Sequence, residues 1–171
     1  GWRSLPEKDR IDFTGLMTEE ELNAYWEVCN FMAYREYYKY RTPCSAIADD
    51  MMAKADTRLE QGECGADLRF GHDHCLLALL MVLDVDGMGT VASRAEDIPL
   101  WFQNFRAPMA GNIQWVFYRP RGKRAGDVLV KVLLNGEELP VGGLAPVSGP
   151  YYRWEDLRAF WKSRADLFVI H

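Results

Sequence analysis

Apolar positions recur at helical spacing near the start of the chain. Thr18 with Glu21 three residues on forms a capping box, and behind it Leu22, Trp26, Cys29 and Ala33 repeat about one turn apart. That spacing predicts a helix over residues 18–41. Proline disfavours helical geometry in the residue before it, so Thr42-Pro43 predicts a stop, and Ser45 is placed to cap a second helix running through residue 59. The two make a helical hairpin. Beyond Gly62 and Gly65, the run Asp67-Leu68-Arg69-Phe70 predicts a short strand. It turns at Gly71-His72-Asp73 into an apolar helix over 75–83, a β-turn-α unit.

An Asp- and Gly-rich loop over 84–89 leads through a mixed segment to Pro108. Two β-rich runs follow, 112–119 and 127–135, joined by 120–126 and expected to pair as an antiparallel hairpin. Asn135-Gly136 is a tight-turn signal that folds 137–141 back on the second run. Gly142-Gly143 and Ser148-Gly149-Pro150 mark loop. Residues 154–168 close the chain as an amphipathic helix with Trp154, Leu157, Phe160, Trp161 and Leu167 on one side. The expected class is α/β: a helical hairpin, a β-turn-α unit, an antiparallel hairpin and a C-terminal helix. All of it fits one domain over 1–171, with a helical segment at 1–61 and an α/β segment at 62–171. A single strand before the first β-to-α crossover starts a doubly wound sheet poorly. A strand to pair with 67–70 is therefore expected from elsewhere, either a missing N-terminal half or, through self-association, another copy.

Composition narrows the picture. The chain has 171 residues, 49% of them hydrophobic, enough for a packed core. A net charge of −5 offers no broad electrostatic footprint for nucleic acid or an anionic membrane surface. The longest apolar run, 75–83, is far short of the roughly 20 residues a membrane span needs. The start, Gly1-Trp2-Arg3, lacks the charged-then-apolar pattern of a signal peptide. Cys29, Cys44, Cys64 and Cys75 are too widely spaced for a zinc knuckle and too few for a disulfide scaffold, so buried free thiols are expected among them.

The chemistry concentrates at His72 and Asp73, where the expected strand ends and the helix begins. Open α/β sheets bind ligands at the carboxyl ends of their strands, and a helix start adds unpaired N–H groups and partial positive charge that favour a phosphate oxygen. An imidazole there holds phosphoryl oxygens, and a carboxyl protonates a departing alkoxide. The dipeptide alone is equally served by a helix cap and a hydrogen-bonded turn histidine.

Resemblance separates the two. Ala66-Asp67-Leu68-Arg69-Phe70-Gly71-His72-Asp73, followed by Leu76-Leu77-Ala78-Leu79-Leu80, resembles the second signature of the histidine acid phosphatases, the family of the phytases and multiple inositol-polyphosphate phosphatases. The likeness continues in Pro108-Met109-Ala110-Gly111-Asn112-Ile113-Gln114, the 127–134 run, Asn135-Gly136 and Gly149-Pro150-Tyr151-Tyr152-Arg153-Trp154, and covers most of the chain from about residue 18. It implies a two-step phosphomonoester hydrolysis. A histidine in an Arg-His-Gly motif forms a phosphohistidine, the residue matching His72 holds the phosphoryl group, and the acid matching Asp73 protonates the leaving oxygen and then activates water. The inositol-polyphosphate branch commonly carries His-Ala-Glu here, whereas Asp73 directly follows His72, as in the acid phosphatases and many phytases.

The histidines of this chain are His72, His74 and His171, and none stands in an Arg-His-Gly. The resemblance implies that the nucleophile lies N-terminal to these residues, so the chain alone is expected to be inactive. The ligand expected is phosphate or a phosphorylated small molecule such as phytate, with no cofactor, and the family suggests a periplasmic or secreted location. The alternative is a non-catalytic module that keeps the fold and binds phosphate or a partner.

Other clusters read as structure. His72-Asp73-His74-Cys75 points its side chains in different directions at a helix start, so no metal is assigned. Asp84-Val85-Asp86-Gly87 begins like a calcium loop, but Ala95 stands at the twelfth position, and loop solvation is the reading. Arg119, Arg121, Lys123 and Arg124 read as a solvated hairpin tip. Arg69, two positions before Gly71, either contacts phosphate or forms a structural ion pair. The tyrosines Tyr34, Tyr37, Tyr38 and Tyr40 share no single helical face and read as packing.

Overall fold

The computed structural model describes residues 15–62, 65–119 and 128–168. Helices α1 (Glu19–Lys39) and α2 (Arg41–Gln61) are followed by α3 (Asp73–Leu83) and a short α4 (Ile98–Trp101) flanked by single 3-10 turns. Strands β1 (Ile113–Tyr118), β2 (Leu129–Leu134), β3 (Glu137–Glu138) and β4 (Tyr152–Arg153) precede α5 (Trp154–Asp166). The class is mixed α/β.

Thr18 caps α1 in both directions: its Oγ1 accepts the Glu21 N–H at 3.2 Å, and its own N–H donates to Glu21 Oε2 at 2.8 Å. Of the four apolar residues at helical spacing, Trp26, Cys29 and Ala33 are half-buried, Ala33 against the core. Leu22 is 49% exposed, and the buried residues are Asn30 and Tyr34. Asn30 turns inward because it closes two backbone groups at once, Nδ2 donating to Phe102 O at 2.7 Å and Oδ1 accepting the Asn104 N–H at 2.8 Å. Trp26 Nε1 reaches Asn104 Oδ1 at 3.0 Å on the same side. The turn after α4 thus sets the rotation of α1.

The break between α1 and α2 falls at Tyr40, ahead of Thr42-Pro43. Pro43 sits inside the first turn of α2, where a missing N–H costs nothing because first-turn amides lack helical acceptors anyway. Ser45 is therefore inside the helix instead of capping it, and its Oγ donates to Thr42 O at 2.6 Å. Gly62 ends α2 at φ +71°, the left-handed cap that glycine adopts without a Cβ clash.

Helix α3 carries the core. Leu77 through Leu83 are all buried, a run apolar on every side because α1, α2 and α5 all pack on it. Burying each Leu, Met or Val side chain of this run is worth about 1.5–3 kcal/mol before entropy is counted. Asp84 caps α3 in the left-handed conformation. The loop acids are held instead of solvated, which corrects the expectation for this loop. Asp84, 13% exposed, accepts the Gly89 N–H at 2.9 Å and pairs with Arg164 at 3.5 Å, and Asp86 pairs with Arg106 at 2.6 Å.

The antiparallel hairpin forms as expected, with Ile113 opposite Leu134 and Tyr118 opposite Leu129. Asn135 and Gly136 both take positive φ, as a two-residue hairpin turn requires, and β3 pairs back on Leu133 and Leu134. Strand β4 pairs with the other end of β2 and runs directly into α5. In α5 the buried stripe is Trp154, Leu157, Trp161 and Ala165. Leu167 falls past the helix end and is 73% exposed, against expectation. Trp115 stacks on Trp161 with centroids 4.4 Å apart, and Trp161 Nε1 donates to Leu83 O at 2.9 Å, joining sheet, α5 and α3.

The expected strand at 67–70 is absent. Residues 65–72 carry no regular structure and are exposed throughout, with Phe70 at 94%. No described residue pairs with the backbone of 65–71. A strand needs a neighbour to bond to, and none of the described strands reaches this segment. Among the described residues no helix is long and apolar enough to cross a membrane. The tip residues Arg121, Lys123 and Arg124 lie outside the described residues. Arg119 lies within them, and its guanidinium donates to Leu59 O.

Candidate functional site

His72 and Asp73 stand at the start of α3 after the exposed 65–71 segment, so of the strand-to-helix junction expected for them only the helix half is formed. His72 is the N-cap, with extended backbone (φ −107°, ψ 166°), and Asp73 is the first helical residue. Both are exposed. Seven buried residues a turn further on anchor the helix, so its first turn is a rigid edge that presents the pair outward.

The first-turn amides are more occupied than the sequence suggests. The His74 N–H goes to Asp73 Oδ1 at 2.9 Å, while the Cys75 and Leu76 N–H groups both reach His72 O, at 3.1 and 3.2 Å. That leaves the Asp73 amide as the first-turn donor with no described acceptor. The turn thus offers one free backbone donor beside the His72 side chain. Asp73 Oδ1 is engaged by the backbone, and its Oδ2 faces the Tyr37 hydroxyl.

Tyr37 and Tyr40, which the sequence reading left as packing, come to this site. The Tyr37 hydroxyl donates toward Asp73 Oδ2 at 3.5 Å, a long contact. The Tyr37 and Tyr40 rings lie 6.3 and 5.2 Å from the His74 ring. The His74 ring is stacked on His72 at 5.5 Å with 12° between planes. Partial burial, with the Asp73 carboxylate beside it, raises the Tyr37 hydroxyl above its ordinary range, which keeps it a proton donor to Asp73. The available signal was their position: Tyr37 and Tyr40 are three residues apart at the end of α1 and so lie on one side of it.

Arg69 is held away from a ligand role in this state. Its Nη1 lies 2.5 Å from Asp50 Oδ2 on α2, and its Nε 3.4 Å from Asp67 Oδ1. Of the two roles left open for it, the ion pair is the one formed. Two shallow concavities on the described surface lie along the 19–27 side of α1 and between α2 and Asp67, and neither is lined by His72 or Asp73. Among the described residues no group of three or more His, Cys, Asp or Glu side chains is arranged around a metal-sized space.

What this arrangement offers chemically is an imidazole and a carboxyl side by side, open to solvent, on the end of a buried helix. It can bind an anion and hold a proton, and it contains no activated nucleophile. No family model matches the chain, and no match is found among curated proteins.

Proposed function

We propose that this chain is the C-terminal part of a phosphomonoester hydrolase of the histidine acid phosphatase type. In this reading His72 holds the phosphoryl oxygens and Asp73 delivers the proton to the leaving group. The observation that supports it is the placement of the pair: adjacent, exposed, and fixed at the start of a helix whose remaining turns are buried. A carboxyl acting as general acid must reach the leaving oxygen while its partner reaches the phosphoryl group, and in this reading the adjacent, exposed pair divides those two tasks. Tyr37 steadies the carboxyl. The covalent step requires a histidine nucleophile that these 171 residues do not supply in the family's motif, so the pair completes a site whose other half comes from additional chain. Phosphorylated polyols such as phytate are the substrate class the resemblance implies. Arg69 would join the phosphate contacts only by exchanging Asp50 and Asp67 for the ligand.

The test is a titration of the chain with inorganic phosphate, followed by NMR at pH 5 and pH 8. Millimolar phosphate is expected to shift the His72 and Asp73 resonances in at least one of the two conditions, with His72→Ala abolishing the response. With p-nitrophenyl phosphate the chain is expected to show no turnover above background. Resonances that stay fixed at both pH values while α3 remains folded would sink the proposal.

A further inference from the structure

The first turns of α2 and α3 are joined through two cysteines. Cys44, the fourth residue of α2, is 1% exposed, and its thiol points at Cys75, the third residue of α3, with Sγ 3.7 Å from the Cys75 carbonyl oxygen. Burial first, and then the neighbouring Cys75, push the Cys44 thiol up to about 11. Cys75 is only partly buried, and both cysteines are free thiols. The pair therefore consists of one half-buried cysteine and one closed to solvent.

We propose that Cys44 and Cys75 are a redox-reactive pair that closes to a disulfide when the chain meets a low-molecular-weight disulfide, with Cys75 attacking first and Cys44 resolving. In the first step the Cys75 thiolate attacks one sulfur of the oxidant, the oxidant's S–S bond breaks, and one reduced thiol leaves. In the second the Cys44 thiolate attacks the Cys75 sulfur of this mixed disulfide and expels the second reduced thiol. Both protein sulfurs are oxidised, the oxidant is reduced to two thiols, and the two cysteine protons leave with them or to solvent. Cys44 cannot be intercepted from solvent, so the mixed disulfide has one short route forward. Its high thiol pKa makes the second step the slow one near neutrality, since only the thiolate reacts.

The bond would tie the start of α2 to the start of α3 two residues after Asp73. It would close the chain between residues 44 and 75, including the exposed 65–72 segment, and so restrict the unfolded ensemble. Nothing in this argument depends on the phosphatase reading. A phosphate site without the disulfide, or the disulfide without a phosphate site, would each stand alone.

The experiment treats the fully reduced chain with oxidised glutathione and maps the non-reduced digest by mass spectrometry. The expected product is a peptide linking Cys44 to Cys75, passing through a transient glutathione adduct on Cys75 whose decay speeds up about tenfold per pH unit between pH 8 and pH 9.5. Cys44→Ala, with folding checked by circular dichroism, is expected to leave the Cys75 adduct unresolved. Glutathione retained on Cys75 in the unsubstituted chain would overturn the proposal. So would links to Cys29 or Cys64 in place of the expected one, or linkage no faster than in the urea-unfolded chain.

Discussion

Helices α1 and α5 are both amphipathic, and they use their apolar residues differently. In α5 the apolar stripe is spent on the core: Trp154, Leu157, Trp161 and Ala165 are buried, and both indole N–H groups are bonded, Trp154 to Asp56 and Trp161 to Leu83 O. In α1 the buried positions are Asn30 and Tyr34, while Leu22, Tyr25, Val28 and Met32 lie at helical spacing on a side that no described element covers. One helix is seated by apolar area, and the other by a polar clamp set among apolar contacts, since Phe31, Ala33, Tyr37 and Tyr38 of α1 also pack against the core. The clamp holds two backbone groups, the Phe102 carbonyl and the Asn104 amide, that would be costly to leave unpaired.

That contrast can be broken at three points. Trp161→Ala removes the side chain that joins the sheet to α3 and α5, and a loss of about 3–5 kcal/mol is expected in urea unfolding. A loss under about 1 kcal/mol would mean that α5 is not the anchor. Asn30→Ala leaves the backbone of 102–104 short of both partners, for an expected cost of about 1–3 kcal/mol. If Asn30 sets the rotation of α1, the Trp26 environment should change as well, read as a shift in its indole NMR resonance. A stability loss with that resonance unmoved would show that the clamp does not orient the helix. Val28→Ala, on the uncovered side, should alter stability by less than about 0.5 kcal/mol, and a larger loss would reveal that this side is covered in solution.

The parts legible in the sequence are those decided locally. The Thr18–Glu21 box, the 75–83 run, the β1–β2 pairing and the Asn135-Gly136 turn each contain their own cause within a few residues. The parts that were not legible depend on something distant. The rotation of α1 is set by backbone groups more than 70 residues away, and no periodicity in α1 reports them. Residues 67–70 have the alternation of a strand, but alternation describes a side-chain pattern and cannot supply a neighbour to bond with. Leu167 was read on the same stripe as Trp161 although the helix ends first. At the candidate site, the position of His72 and Asp73 was legible because a strand-like run ending at an apolar helix marks the junction. The approach of Tyr37 and Tyr40 was not, since it follows from how α1 crosses the start of α3.

The Asn135-Gly136 turn also bears on how the molecule ages. An asparagine followed by glycine is prone to cyclise, its side-chain carbonyl carbon being attacked by the next backbone nitrogen to give a succinimide and then aspartate or isoaspartate. Here that side chain is held at both ends: Oδ1 accepts the Asn112 N–H at 3.0 Å, and Nδ2 donates to Arg106 O at 2.9 Å. Cyclisation would have to break both bonds to swing the amide toward Gly136. The two contacts that brace the hairpin therefore also slow a covalent clock, and this clock should run fastest in chains that have already lost the turn.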